Sequence, residues 1–299
     1  MKLKVISVLI LVTFLLLTSC QQGKKKQQAP GSFIGGTQGV VAKFEAFGVE
    51  ENGVYSIFDT ETFPIEVTLT NKGEYELQPN EVMVELLGPS QSEFNGIASW
   101  KKSNLDIIDK ISELVKEGGE ETITFADEAR YRSPVRGITE RNWFANVEYN
   151  YKTFVIVPEV CLKYDLRDRR VCTVEEAKSF DVSGAPITIG GVTEDTAGRG
   201  IMALKFTLKN VAGGKVTLPN ANFEVSDKLV YLLDDAGWEC KSGGRINEAR
   251  LINGLAEIVC RLKNPLAEAH LSTKQVILTL NYKYREIVQE KLAIKESVN

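Results

Sequence analysis

The sequence predicts an all-β protein made of two tandem β-sandwich domains. Three observations lead to this prediction: short segments in which apolar and polar residues alternate, glycine pairs between those segments, and a strand motif that occurs twice. Alternation with a period of two is typical of strands that bury one face. Short strands separated by turns in this way are typical of β-sandwiches.

The N-terminus, residues 1–19, has the pattern of an export signal and is expected to form a helix. Two lysines precede an apolar run, residues 5–17, that is shorter than the about 20 residues a membrane-spanning helix needs. The run ends in Leu17-Thr18-Ser19-Cys20, which resembles the lipobox of prokaryotic lipoproteins, where cleavage leaves a lipidated cysteine as the first residue. We therefore expect lipid on Cys20 and attachment to the extracytoplasmic face of the membrane. An ordinary secretory signal and a single-pass anchor are the alternatives.

Residues 20–32 are expected to be the lipidated cysteine and a disordered tether. The segment after Cys20 reads QQGKKKQQAPGS and lacks apolar periodicity. Its three lysines are expected to be a solvated spacer, with contact to anionic headgroups as the alternative.

The composition of the chain indicates a globular body. Hydrophobic residues make up 43% and charged residues 25%, which is ordinary for a folded domain. The formal net charge is −4. This mildly acidic balance argues against nucleic acid as a partner, because nucleic-acid binding needs a basic face.

Four cysteines remain once Cys20 is assigned to lipid: Cys161, Cys172, Cys240 and Cys260. An even number in an exported protein predicts disulfides, and three pairings are possible. We favour Cys161–Cys172 with Cys240–Cys260, because each closes a short local loop. Zinc is not expected, since neither CxxC spacing nor a supporting histidine is present.

Strand patterns cover most of the body. Those predicted in the first half are residues 40–47, 63–70, 81–87, 122–125 and 146–157. Those predicted in the second half are residues 187–192, 201–209, 228–233, 256–262, 275–284 and 286–294. Residues 104–116 differ, because their apolar positions recur at helical spacing before a glycine. The sequence predicts one short helix there, inserted in the first domain, with a long crossover loop as the alternative.

A repeated strand motif divides the body in two. Residues 63–73 and 202–213 each form an alternating strand that ends in asparagine and then glycine, at Asn71 and Asn210. Two copies of one motif predict two related domains. Ser, Gly and Pro cluster at residues 182–186, so we place the domains at residues 33–182 and 183–299.

A family resemblance follows from these motifs. The strand ending in Asn-x-Gly is similar to Ig-like adhesion-type domains of surface proteins. The segments at residues 35–39, 171–174 and 250–254 resemble those of secreted two-domain Ig-like lipoproteins of archaeal type. The resemblance covers about residues 33–294. It implies two tandem Ig-like sandwiches and the two cysteine pairs, and it implies no activity.

No residue pattern specifies a reaction. The one histidine, His270, has no GxSxG segment to complete a Ser-His-Asp triad. A calcium site between loops that uses Asp165 and Asp168, beside Asp127 and Glu128, is a minor alternative to a solvated loop. Aromatic side chains near irregular segments are expected to be buried, with a glycan- or protein-binding surface as the alternative: Phe94, Trp100, Tyr131, Trp143 and Phe144.

The sequence therefore favours a non-catalytic binding or adhesion module outside the cell, without a cofactor or a metal. Its expected partners are the membrane, through lipid on Cys20, and an envelope protein or glycan. A structural subunit of a surface layer or filament is the alternative, and a glycan-acting hydrolase is less favoured.

Overall fold

The structure is a computed structural model that describes residues 33–174, 177–224 and 227–297. The predicted signal helix, Cys20 and the tether lie outside the described residues. Regular structure in the described part is all strand apart from one 3-10 turn at Gln91–Glu93, so the all-β prediction is confirmed. The described part holds no helix long and apolar enough to cross a membrane.

Nineteen strands follow one another along the described chain. The first ten are β1 (Val40–Phe44), β2 (Val49–Glu51), β3 (Val54–Phe58), β4 (Thr62–Asn71), β5 (Val82–Leu87), β6 (Phe94–Asn95), β7 (Lys101–Ser103), β8 (Glu120–Tyr131), β9 (Ile138–Lys163) and β10 (Asp181–Val182). The others are β11 (Ile187–Gly198), β12 (Ile201–Asn210), β13 (Lys215–Thr217), β14 (Lys228–Leu233), β15 (Trp238–Ser242), β16 (Arg245–Ile246), β17 (Glu248–Arg250), β18 (Leu255–Leu262) and β19 (Leu271–Lys295).

These strands form three sheets. The first small sheet has the order β1-β4-β8-β6, and the second small sheet has the order β11-β12-β18-β15-β16. The central sheet has the row β17-β14-β19-β9-β5-β7, with β2, β3, β10 and β13 paired at its margins.

The two halves of the chain have corresponding strand orders. Strands β1, β4, β8 and β6 match β11, β12, β18 and β15, and each half gives three strands to the row of the central sheet, β9-β5-β7 and β19-β14-β17. The longest strands, β9 and β19, join the halves by antiparallel pairing along nearly their whole length. The halves are therefore related by an approximate two-fold axis between β9 and β19.

Each small sheet contacts the part of the central sheet that comes from its own half, and β11 also contacts β9 of the other half, where Thr153 Oγ1 donates to the Ile187 carbonyl. In the first half, the ring of Phe63 on β4 lies 6.5 Å from that of Trp143 on β9. In the second half, the Tyr231 hydroxyl on β14 donates a hydrogen bond to the carbonyl oxygen of Cys240 on β15 at 3.1 Å. The fold is thus sandwich-like in both halves. Residues Phe33–Asn299 form one compact unit, and the predicted domain boundary at residue 183 stays a prediction.

The repeated asparagine anchors equivalent contacts in the two halves. The Tyr151 hydroxyl on β9 donates to Asn71 Oδ1 at 3.0 Å, and the Tyr284 hydroxyl on β19 donates to Asn210 Oδ1 at 2.8 Å. The Asn71 amide nitrogen in turn donates to the backbone carbonyl of Tyr75 at 2.7 Å. The repeat therefore ties the end of a small-sheet strand to the middle of the central sheet.

The predicted helix at residues 104–116 is wrong, because the segment is an irregular loop with no helix. Of its four apolar positions at helical spacing, only Ile108 is buried, and it bridges to Leu77 through paired backbone hydrogen bonds. Asn104 donates hydrogen bonds to the carbonyls of Gln78 and Asp106 and accepts one from Val82 N, which fixes an extended entry to the loop. The alternative prediction for this segment, a long crossover loop, therefore agrees with the structure.

Candidate functional site

Both predicted disulfides are present in the structure. Cys161 bonds Cys172, with Cα atoms 5.7 Å apart, and Cys240 bonds Cys260. The second bond joins β15 to β18 at a position where the two cysteines lie opposite each other in the ladder. It therefore staples one strand to its neighbour in the second small sheet.

The Cys161–Cys172 loop is held by a buried charged network. Lys163 donates to the backbone carbonyls of Asp168 and Cys172, each at 2.9 Å. Glu194 accepts a hydrogen bond from Cys161 N at 2.7 Å and pairs with Lys178 at 2.9 Å. Burial raises the pKa of Glu194, and the ion pair with Lys178 opposes that rise. Lys163, Lys178 and Glu194 each have a partner in the loop or beside it, so this network has a structural role.

The loop aromatics do not form a binding surface. Trp143 is fully buried, and its ring contacts those of Phe63, Phe94 and Trp100, the last in a stacked arrangement at 5.6 Å. Tyr131 is buried against Phe94, and Phe144 is half-buried on the other face of β9. Phe94, Trp100, Tyr131 and Trp143 therefore pack in the core of the first half, and Phe144 lies outside it.

The ionisable candidates have local partners. His270 is exposed and has its Nε2 atom 2.9 Å from Ser272 Oγ. Asp165 and Asp168 pair with Arg167 and Arg170, and hydrogen bonds from the Arg170 side chain and backbone lower the pKa of Asp168 to about 2. The described residues contain no group of three or more His, Cys, Asp or Glu side chains placed to hold a metal ion.

A groove runs along the side of the first half, between β7 of the central sheet and β8 of the first small sheet. Its volume is about 530 Å³. It is lined by apolar and polar residues of both strands, of the loop that joins them and of the segment between β4 and β5: Asn80, Lys102, Ser103, Leu105, Glu121, Thr122, Ile123 and Thr124. We take this side groove as the candidate functional site.

One wall of the side groove is an open sheet edge. β4 pairs with one edge of β8 along most of its length. The opposite edge pairs only with the two residues of β6, at Tyr131 and Arg130. Along residues 120–127 no strand of the described chain pairs with that edge. Unpaired backbone N–H and C=O groups are the usual point of attachment for an added strand.

Lys102 partly closes this edge. Its Nζ atom donates a hydrogen bond of 2.6 Å to the carbonyl oxygen of Thr124, and it lies 6.0 Å from the centre of the Phe125 ring. The bond shows that the Thr124 carbonyl faces the side groove. Since the N–H and C=O of one residue point to the same side of an antiparallel strand, the Thr124 N–H also faces it.

Leu105 forms an exposed apolar lip on the groove. Its side chain is 77% exposed, whereas Ile123 on the floor is 5% exposed. The Glu121 carboxylate fixes the lip by accepting hydrogen bonds from Leu105 N at 2.7 Å and Asp106 N at 3.3 Å. A ligand in the groove would thus meet an apolar lip, an apolar floor and backbone polar groups.

The rim of the side groove is acidic. Glu121 lines the groove, and Glu120 and Asp106 are chain neighbours of the lining residues Glu121 and Leu105. These three carboxylates are called the acidic rim. Among the described residues, none of these carboxylates makes an ion pair. Carboxylates that make no ion pair attract a cationic ligand, and the Lys102 ammonium group in the same groove opposes part of that attraction.

Sequence reasoning missed the groove residues Lys102, Leu105 and Ile123. The available signal was a difference between the repeats, because the second half has a strand pattern at residues 238–242 where the first half has none of that length. No protein-family model and no curated protein matches this sequence.

Proposed function

We propose that this chain is a non-catalytic binding module, held outside the cytoplasm by lipid on Cys20, which binds an envelope protein through the side groove. The observation that carries the proposal is the open edge of β8 beside an apolar floor and lip. The two disulfides support an oxidising compartment, since such bonds persist mainly outside the cytoplasm. The burial of the loop aromatics favours a protein partner over a glycan.

We also propose that residues 33–182 and 183–299 are two Ig-like β-sandwich domains. The corresponding strand orders and the equivalent Asn71 and Asn210 contacts support an internal duplication. No step of the binding proposal depends on this assignment.

Site-specific photocrosslinking in the native envelope tests the proposed binding face. A photoreactive amino acid at Leu105 is expected to crosslink to a protein partner. The same group at Leu114, which is 96% exposed in the same loop but does not line the groove, is the matched control. Equal products from both positions, or none from position 105, would contradict the proposal.

The anchor is tested separately. Cys20→Ala is expected to release the protein from membranes or to leave it uncleaved. A membrane-bound protein with a free Cys20 thiol would refute lipid attachment, whatever the groove binds.

A structural subunit of a surface layer or filament is the second candidate. The open edge of β8 favours it, because an unpaired edge can also accept a strand from another copy. Sedimentation of the soluble body at increasing concentration separates the two candidates. A monomer at all concentrations supports the binding module. Assemblies that grow with concentration, and that are absent when the open edge of β8 is altered, support the structural subunit.

A further inference from the structure

We infer that the side groove accepts an extended peptide, which adds to β8 as a new strand of the first small sheet. The inference rests on the proposed binding function and specifies its partner. In this mode, main-chain hydrogen bonds to a sheet edge supply affinity, and alternate side chains supply specificity.

The second half of the molecule shows what occupies the equivalent edge. Asn71 and Asn210 are equivalent, and the residues before them, Thr70 and Lys209, pair with Glu120 and Leu255. Counting along β8 and β18 from these partners makes Thr124 equivalent to Val259. Val259 is paired on its outer side with Lys241 of β15. The place that β15 fills in the second half is the side groove in the first.

The sequence of β15 indicates the side-chain pattern that such an occupant needs. In Trp238–Ser242, burial alternates, with Trp238, Cys240 and Ser242 buried and Glu239 and Lys241 exposed. Successive strand residues point to opposite faces, so inward positions of an added strand would meet Ile123 and Leu105. We therefore expect apolar residues at alternate positions of the ligand.

The acidic rim is expected to favour basic residues at the ligand positions between the apolar ones. Glu120 and Glu66 lie at the outer face beside Thr124, whose hydroxyl donates to Glu66 Oε1 at 2.8 Å. Oppositely charged cross-strand neighbours stabilise a sheet, and like charges destabilise it. Outward positions of the ligand are therefore expected to be lysine or arginine.

The Lys102 side chain blocks part of the unpaired edge of β8. Its ammonium group occupies the Thr124 carbonyl that the incoming strand needs, and an edge lysine also discourages unspecific strand pairing. Binding must displace this one hydrogen bond. Removing the side chain is expected to tighten ligand binding about fivefold, which corresponds to the net contribution of one hydrogen bond.

The test is a titration of the full-length protein with a fluorescent seven-residue peptide, capped at both ends, that alternates valine and lysine. We expect saturable binding, weaker binding of the valine–glutamate counterpart by tenfold or more, and about fivefold tighter binding to Lys102→Ala. Lys101→Ala, an exposed neighbour on β7 that does not line the groove, is the matched control and should bind like wild type. Bound peptide should also slow hydrogen exchange at the Thr124 amide.

A peptide methylated at alternate backbone nitrogens keeps its side chains but loses its edge donors. Equal binding of this peptide, or unchanged exchange at Thr124, would overturn strand addition. Absence of binding to both wild type and Lys102→Ala would do the same. If strand addition is overturned but position 105 still crosslinks to a protein in the envelope, the proposed binding function stands and only the strand-addition mode is rejected.

Discussion

Asn71 and Asn210 have equivalent places but unequal environments, which makes them a matched pair of residues. Asn71 is fully buried and its side chain takes part in four hydrogen bonds, with Gly73 N, Tyr75 O, Ile108 O and the Tyr151 hydroxyl. Asn210 is half-buried, and its side chain bonds Gly214 O and the Tyr284 hydroxyl. Buried groups left without partners cost more than exposed ones.

Asn71→Ala is therefore expected to lower the free energy of unfolding by about 3 kcal/mol, and Asn210→Ala by about 1–2 kcal/mol. Urea denaturation measures both, with the exposed Asn142→Ala as the control. Equal losses from the two variants would show that burial does not set the difference.

Glu286 gives the stability of the protein a dependence on pH. Burial near Tyr149 and Tyr284 raises the pKa of its carboxyl group from 4.5 to about 7. The folded state then keeps a proton that the unfolded state releases, so the contribution of Glu286 to stability is fully present below pH 4.5 and falls as pH rises through about 7. Solvent screening of this partly buried group limits the fall to about 1–2 kcal/mol.

Glu286→Gln is expected to remove this pH-dependent loss of stability and to make the protein more stable than wild type at pH 8. Thermal or urea denaturation across pH 4 to 8 measures the effect, and the exposed Glu113→Gln is the control. A variant whose stability follows the wild-type pH profile would exclude Glu286 as the cause.

At the scale of elements, the two disulfides restrain different features. Cys161–Cys172 closes a loop with a sequence separation of 11, and Cys240–Cys260 joins two strands with a separation of 20. The chain-entropy model gives about 3 kcal/mol for each loop. Replacing either pair by alanine should lower the free energy of unfolding by about this amount. Peptide mapping without reduction is the companion measurement, and four free thiols would contradict both the pairing and the oxidising compartment.

The elements also show how much the sequence could predict. Alternating strands such as residues 63–70 and the local cysteine pairs follow from nearby residues, and both are confirmed. The prediction of a helix at residues 104–116 was wrong because tertiary contacts outweigh the helical apolar spacing. The hydrogen bonds of Asn104 and the single buried contact at Ile108 hold the segment as a loop. Leu105 stays exposed and Ile111 and Val115 are only half-buried, so the apolar stripe that would stabilise a helix is not buried.

The sequence alone identified the internal repeat only in part. Sequence alignment matched Gly73 with Gly213, whereas the structure makes Gly214 the equivalent residue. A Cβ atom at Gly73 would lie 2.1 Å from the Tyr151 hydroxyl, and one at Gly214 would lie 2.5 Å from Tyr284 Cε1, but one at Gly213 meets nothing within 4 Å. The side groove was not predictable, because it depends on two sheet edges, β7 and β8, that sequence patterns do not place together.

At the scale of the whole molecule, pairing of β9 with β19 is the main link between the halves. Register runs from Ile138 opposite Lys295 to Lys163 opposite Leu271. Residues 185–299 expressed alone would leave that edge of β19 unpaired. Because β9 and β19 are related by the approximate two-fold axis, a second copy of β19 can take the place of β9.

We therefore expect residues 185–299 to fold as a strand-rich homodimer, whereas residues 33–299 stay monomeric at the same dilute concentration. Light scattering after size-exclusion chromatography distinguishes the two masses. A monomeric, folded fragment would show that β19 tolerates an open edge, and a chiefly helical circular-dichroism spectrum would contradict the fold of the half itself.

The long β9–β19 pair also constrains the order in which the molecule is completed. β19 is the last described strand in chain order, so β9 has one edge unpaired until nearly all of the second half has emerged. Folding that depends on such distant contacts is slow, and unfinished edges invite aggregation in the meantime. Chaperone protection during biosynthesis is accordingly expected to matter most in the interval between the emergence of β9 and that of β19.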